Sequence, residues 1–320
     1  MKIIIEPPTW IGDAVMATPA IENLISFYND ARISIVGSSR SIEIFKNHPK
    51  IENVIFFGKN YASIYSTSKS LGKFDIFFSF RNSFRSNVFK LLVSCRKKFQ
   101  FIDIKENKFH YVEKYNNFVN QSLKSNFPAG HLKIFQEENL NPLIKGKPIL
   151  GLNPGASYGA AKRWSTSEFG RVAENLSESF DIIIFGGLAD KENALTIQSY
   201  LVQKGITNFQ NLSGKTSLIE LIFNISNLDL FITGDSGPMH IAASFQIPTI
   251  SIFGPTRNDE TSQWKNKKNI IVKKNLICQP CMKRVCPLKH NNCMRLINAE
   301  EVLNAVDKLE LNLGLKSIVN

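Results

Sequence analysis

Short β-branched or aromatic runs alternate with longer amphipathic segments along almost the whole chain, and the alternation starts twice. Lys2-Ile3-Ile4-Ile5, Ile33-Ser34-Ile35-Val36, Val54-Ile55-Phe56-Phe57, Asp75-Ile76-Phe77-Phe78 and Phe99-Gln100-Phe101-Ile102 read as strands. Between the first two, Gly12 to Tyr28 places Val15, Ile21, Leu24 and Ile25 at helical spacing. After residue 147 the pattern restarts with Ile149-Leu150-Gly151-Leu152, Ile182-Ile183-Ile184-Phe185, Leu230-Phe231-Ile232 and Thr249-Ile250-Ser251-Ile252-Phe253. Strands this continuously apolar are buried on both faces, so the pattern predicts an α/β chain with parallel sheets sandwiched between helices.

The restart follows Asn141-Pro142-Leu143-Ile144-Lys145-Gly146-Lys147-Pro148, where two prolines and a glycine separate a helical stretch from a fresh strand. With 320 residues, the chain exceeds what one core usually holds, roughly 250 to 300 residues. Two doubly wound, Rossmann-like domains are therefore expected, residues 1–146 and 147–320. Ligands of such domains bind outside the carboxyl ends of the strands, and a central cleft faced by both is the expected active site. A composition of 43% hydrophobic and 21% charged residues excludes a largely disordered or collagenous chain.

No run of about 18 apolar residues occurs, so no spanning helix is expected. The opening Met1-Lys2-Ile3-Ile4-Ile5-Glu6 meets an acid and two prolines too early for a signal peptide, which predicts a cytoplasmic protein. In that compartment the five cysteines are expected to be thiols or metal ligands rather than disulfides.

The formal charge is +12. Residues 1–146 hold 20 bases against 12 acids, and residues 147–320 hold 19 against 15. Arg81, Arg85, Lys90, Arg96, Lys97 and Lys98 form one acid-free stretch, and Lys265 to Lys289 forms another with eight bases. Such stretches suit a polyanion, an anionic membrane surface or a phosphorylated substrate; a merely basic solvated surface is the alternative.

Three strand-to-helix loops carry candidate chemistry. In Pro7-Pro8-Thr9-Trp10-Ile11-Gly12-Asp13, Gly12 is read as permitting a tight turn and Asp13 as the acid at the start of a helix, either a cap or a base. In Asn153-Pro154-Gly155-Ala156-Ser157-Tyr158-Gly159-Ala160-Ala161-Lys162-Arg163-Trp164, glycines, a hydroxyl and two bases equip a loop to hold phosphates, beside a tryptophan read as exposed. Its spacing is not that of a Walker motif. In Thr233-Gly234-Asp235-Ser236-Gly237-Pro238-Met239-His240-Ile241-Ala242-Ala243, the helix amides could bind a pyrophosphate; the structural alternative is a capped helix with a buried His240. The Gly186-Gly187-Leu188-Ala189-Asp190 turn could bring Asp190 to ribose hydroxyls.

The spacing Cys278-x2-Cys281-x4-Cys286-x6-Cys293, with His290 nearby, supplies enough ligands for a tetrahedral structural metal, but lacks the paired knuckles of a zinc ribbon. Packed thiols or disulfides are the alternatives. Other function classes fail on particular features. An NAD-dependent oxidoreductase lacks its G-x-G-x-x-G, a nucleic-acid binder lacks a reading motif, and an exported two-domain binding protein lacks an export signal.

Trp10-Ile11-Gly12-Asp13 with Thr18-Pro19-Ala20, Pro154-Gly155-Ala156 through Lys162-Arg163-Trp164, Gly234 through Ala243, and Phe253-Gly254-Pro255-Thr256 resemble the ADP-heptose:lipopolysaccharide heptosyltransferases of glycosyltransferase family 9. The match runs from about residue 3 to residue 295. Asn82-Ser83-Phe84-Arg85-Ser86 and the segment Cys278-Gln279-Pro280-Cys281, Arg284, Cys286-Pro287, His290 and Cys293 are most similar to the subfamily that adds the second inner-core heptose.

The resemblance implies a glycosyltransferase B fold, with a lipopolysaccharide acceptor on the first domain and ADP-heptose on the second. It implies inverting transfer onto the first heptose of a heptosyl-Kdo-lipid A acceptor, with transfer at another step as the alternative, and, from a different class, a non-catalytic nucleotide or polyanion binder. Asp13 would be the base and Lys162 would neutralise the departing diphosphate. Donor contacts are implied at Gly12, Ser157, Asp190, Asp235, Ser236, Gly237 and His240, with Asp235 holding the heptose or orienting Lys162. Acceptor contacts are implied at Asn82, Ser83 and Arg85. No cofactor, catalytic metal or nucleic acid is implied. Peripheral association with the cytoplasmic face of the inner membrane is.

Overall fold

A computed structural model describes residues 1–58, 60–103, 108–136 and 146–311. The chain divides into two compact units, Met1–Glu137 and Glu138–Asn320. Most of the predicted Asn141–Pro148 junction, residues 141–145, lies outside the described residues.

The first unit contains β1 (Lys2–Glu6), β2 (Arg32–Gly37), β3 (Ile51–Phe56), β4 (Lys73–Ser79) and β5 (Ser94–Gln100). They form one sheet in the order β3-β2-β1-β4-β5, with every pairing parallel. The second unit contains β6 (Ile149–Asn153), β7 (Asp181–Ile184), β8 (Phe209–Asn211), β9 (Leu230–Gly234), β10 (Thr249–Phe253) and β11 (Asn269–Lys273). Its order is β11-β10-β9-β6-β7-β8, again all parallel. Both are doubly wound sheets, and the strand order reverses at the β1/β4 pair in one and at the β6/β9 pair in the other. Those two places are where such sheets open a crevice at their carboxyl edges.

Continuous burial explains the central strands. Ile3, Ile4 and Ile5 of β1, and Leu150, Leu152, Leu230 and Ile232 of β6 and β9, are wholly buried, each side chain contributing about 1.5 to 3 kcal/mol by leaving water. The first core is rich in aromatics: Phe89 packs on Phe57 and Phe77 with ring centroids 5.2 and 5.7 Å away. The second is mainly aliphatic, and helix Ala299–Lys308 joins it by burying Val302, Ala305 and Val306 against helix Thr166–Leu176 and strands β10 and β11.

Several sequence expectations need correction. The segment from Gly12 to Tyr28 is two helices, Ile11–Met16 and Thr18–Phe27, because Pro19 in the first turn of the second lacks an amide to continue the first. Gly12 is accordingly the second residue of a helix and not a tight turn. The strand read at Phe99–Ile102 instead ends at Gln100 and begins at Ser94, the one read at Val54–Phe57 runs from Ile51 to Phe56, and β8 and β11 are additional strands, β11 carrying the short apolar run Ile270-Ile271-Val272. All four are edge strands, where charged and polar side chains interrupt the apolar run. Trp164 is 3% exposed. Its ring meets Phe169 edge-on at 4.8 Å and its indole N–H donates to the Ile297 carbonyl at 2.8 Å.

The acid-free basic stretches are acid-free only along the sequence. Arg81 pairs with Glu6, Arg96 lies 3.7 Å from Asp75, and Lys274 reaches both carboxylate oxygens of Glu301 at 2.7 and 2.8 Å. Lys98 donates to the Lys90 carbonyl.

Candidate active site

In the second unit, β6 and β9 lie side by side with Asn153 in register with Thr233 at their carboxyl ends. The Asn153 amide donates to Thr233 Oγ1 at 3.0 Å and to Ser236 Oγ at 3.1 Å, tying together the two loops that leave these strands. From the first loop, a 3₁₀ turn at Ala160–Lys162 presents Lys162. From the second, Asp235 precedes helix Gly237–Ser244, whose N-cap is Ser236 and whose first turn holds Pro238. Lys162 Nζ donates to Asp235 Oδ2 at 2.6 Å and to the Asp235 carbonyl at 3.3 Å. Thr256, in the loop after β10, donates to the same Oδ2 at 2.6 Å. Asp235 is buried and Lys162 nearly so, so this charge pair is shielded from water and its geometry is held by three separate loops.

The two glycines of the first loop are set by close approach. A Cβ on Gly155 would stand 2.4 Å from Asp190 Oδ2, and one on Gly159 would stand 2.4 Å from the Arg284 carbonyl. Asp190 is itself buried: Oδ2 accepts the Gly187 amide at 3.1 Å and Oδ1 lies 3.4 Å from Arg163 Nη2. Its carboxylate thus braces the Gly155 loop against the Gly187 turn. Ser157 is exposed on the same loop, while His240 is buried in the Gly237–Ser244 helix. The structure brings Lys162, Asp235, Ser236 and Gly237 together around the β6/β9 edge. Asn153, Thr233 and Thr256 complete the arrangement; each stands within one of the sequence motifs but is not among the predicted site residues, and for Asn153 and Thr233 the strand-end position is the available signal.

In the first unit, Glu6 and Ser79 are register partners at the ends of β1 and β4. Glu6 is wholly buried. Its Oε1 accepts Arg81 Nη1 at 2.8 Å, and its Oε2 accepts the hydroxyls of Ser79 and Ser86, each at 2.6 Å. This network fixes the loop carrying Asn82 and Ser83, and sequence reading missed it because Glu6 and Arg81 are 75 residues apart. Ser83 caps helix Phe84–Leu92 by accepting the Ser86 amide, and Arg85 donates to the Gly58 carbonyl at 2.8 Å. Asn82 is exposed.

Asp13 occupies the third position of helix Ile11–Met16; the N-cap is Trp10, without a side-chain cap bond, so Asp13 is not the capping residue. Its half-buried carboxylate is in electrostatic reach of buried Tyr115, whose hydroxyl is pushed well above its ordinary value, first by burial and then by the Asp13 charge.

Cys278, Cys281, Cys286 and Cys293 line one small cavity together with His290, Pro255 and Ala161. All are free thiols. Burial, then the neighbouring Cys281, Cys278 and Cys286, push the Cys293 thiol up to about 11. Among the described residues no group of three or more histidine, cysteine or acidic side chains is arranged to hold a metal ion, and no helix is long and apolar enough to cross a membrane.

Residues 71–292 match the model of glycosyltransferase family 9 (heptosyltransferase). The chain is 42% identical over 320 residues to a lipooligosaccharide heptosyltransferase 2 of Campylobacter jejuni subsp. jejuni serotype O:2, covering 98% of this chain and 99% of that one. It is 25% identical to the corresponding protein of Haemophilus influenzae, over 85% of this chain and 88% of that one. In fold it is similar to the solved Escherichia coli ADP-heptose lps heptosyltransferase II, with a TM-score of 0.82 at 22% identity, covering 98% of this chain and 100% of that one. The chain therefore belongs to glycosyltransferase family 9, the heptosyltransferases, and has the two-sheet glycosyltransferase B fold.

Proposed function

We propose that this enzyme transfers L-glycero-D-manno-heptose from ADP-heptose to the first heptose of the lipopolysaccharide or lipooligosaccharide inner core, with inversion at the anomeric carbon. The observation that carries the donor reading is the Lys162–Asp235 pair at the β6/β9 strand ends, a cation beside a glycine loop and a helix start where a diphosphate would bind. The choice of heptose and of this step rests on the similarity to heptosyltransferase 2 proteins along nearly the full chain.

The acceptor hydroxyl oxygen attacks the anomeric carbon as the bond to the diphosphate oxygen breaks. Asp13 takes the hydroxyl proton, and the ADP oxygen leaves with the bonding electrons, its charge offset by Lys162. A carboxylate is a weak base toward a sugar alcohol, so proton transfer occurs late, when the oxocarbenium-like centre has made the hydroxyl more acidic. Asp235, braced by Thr256, directs the Lys162 ammonium. Gly12, Ser157, Ser236, Gly237 and the neighbouring His240 shape the donor site, and Asp190 meets the ribose. The first unit takes the acceptor, with Asn82, Ser83 and Arg85 beside the Glu6–Arg81 network. Exposed bases such as Arg96 meet anionic lipid at the cytoplasmic face of the inner membrane, where the enzyme sits peripherally.

The test is incubation with ADP-heptose and acceptors bearing zero, one or two heptoses, reading product mass and linkage. Turnover is expected on the one-heptose acceptor, giving an α-linked product. Turnover confined to another acceptor reassigns the step, and release of no ADP with any of them removes the reading.

A further inference from the structure

The strongest unassigned feature is the segment that packs beneath the Lys162 loop. The Ala161 amide donates to the Arg284 carbonyl at 3.1 Å, and the Tyr158 hydroxyl donates to the Met282 carbonyl at 2.8 Å. The segment is anchored in turn to the end of β10: the Met282 amide donates to the Pro255 carbonyl at 2.8 Å, and the Gln279 side chain to the Gly254 carbonyl at 2.7 Å. These bonds place the Arg284 guanidinium 5.2 Å from the centre of the Tyr158 ring, the same ring that lies 4.7 Å from Lys162 Nζ. Two cations thus converge on one aromatic side chain within a glycine loop.

Their electrostatic situations differ. The Lys162 charge is offset by Asp235 at 2.6 Å. Arg284 is exposed and has no carboxylate partner among the described residues. Like charges gathered on one ring repel each other, and the arrangement gains stability when an anion binds beside them. A guanidinium presents a planar fork of donors suited to phosphate oxygens, which the lysine ammonium does not.

We propose that Arg284 is a second diphosphate-binding residue of the donor site, held by Tyr158 so that its guanidinium and the Lys162 ammonium grip the same nucleoside diphosphate. The assignment rests on the reading of the Lys162 loop as the diphosphate site. Arg284 supplies the net positive charge there, and Lys162, steered by Asp235, supplies direction.

The test is calorimetric titration of the full chain with ADP and with adenosine at low and high salt, for wild type, Arg284→Gln, Arg284→Lys and Lys162→Ala. Arg284→Gln is expected to bind ADP about tenfold more weakly, the scale of one charge-assisted contact, with a flatter salt dependence and unchanged adenosine binding. Arg284→Lys recovers part of the loss. Because the Ala161 bond uses the main-chain carbonyl of residue 284, these side-chain changes leave the loop anchored. ADP affinity unchanged in Arg284→Gln, or an equal loss for ADP and adenosine, overturns the assignment. If Lys162→Ala weakens ADP binding and Arg284→Gln does not, only the Arg284 role fails; if neither variant alters it, the underlying diphosphate reading fails with it.

Discussion

Lys162 and Asp235 meet at 2.6 Å although 73 residues separate them, and Thr256 donates to the same Asp235 oxygen. That oxygen is held from two sides, so the ammonium has a defined direction rather than a flexible reach. Lys162→Ala is expected to lower kcat/KM for the donor at least about a hundredfold, the usual scale for losing a preorganised charge stabiliser. Thr256→Val keeps both charges and removes one donor; a loss of about tenfold is expected. Steady-state kinetics with varied ADP-heptose checks both, and a normal rate for Lys162→Ala at saturating donor counts against leaving-group stabilisation.

Asp13→Ala is expected to reduce kcat by about a thousandfold, within the range for removing a general base. ADP affinity, measured by calorimetry, stays within about twofold of wild type, because the donor loops belong to the other unit. Retained turnover removes Asp13 as the base.

Glu6→Ala leaves Arg81, whose side chain is only 11% exposed, without its carboxylate. Removing one member of a buried pair typically costs about 3 to 5 kcal/mol. A urea unfolding series should show the transition of the first unit moving to lower denaturant while ADP binding persists. An unchanged midpoint means that Arg81 finds another partner.

The Cys293 thiol, raised from an ordinary 9.0 to about 11 by burial and then by its three neighbouring cysteines, stays protonated at neutral pH. Its alkylation by iodoacetamide in the folded protein should be the slowest among the four clustered cysteines and should accelerate as pH rises toward 11, read by peptide mass mapping. Because the folded value lies above the unfolded one, its contribution to stability is complete below pH 9 and is lost as pH rises through about 11. Rapid labelling of Cys293 at pH 7 contradicts this environment.

Much of the fold was legible in the sequence for a physical reason: a parallel strand buried on both faces must be apolar throughout, so β1, β4, β6, β7, β9 and β10 stand out as isoleucine-, leucine- and phenylalanine-rich runs. The strands that were shifted or missed, β3, β5, β8 and β11, are the edge strands, whose exposed positions admit Glu52, Arg96, Gln210 and Lys273. The loops bearing Asp13, Lys162 and Asp235 were also visible, because glycine, proline and charge cluster where a strand turns into a helix.

Partnership was not legible. Nothing in the sequence joins Glu6 to Arg81 or Tyr158 to Arg284, and the Lys162–Asp235 pair was open to expectation only through the family resemblance, since each pair is made by distant segments that a sheet brings to one edge. Trp164 beside two bases reads as exposed until the Ile297 carbonyl and Phe169 enclose it, and the basic stretches read as acid-free until Glu6 and Glu301 fold against them. The sequence alone determined which residues could carry chemistry and that two parallel sheets would hold them. Tertiary structure decided which charges are already offset and which remain open to a substrate, because the strength of a charge depends on its neighbours in space and on how far water has been excluded around it.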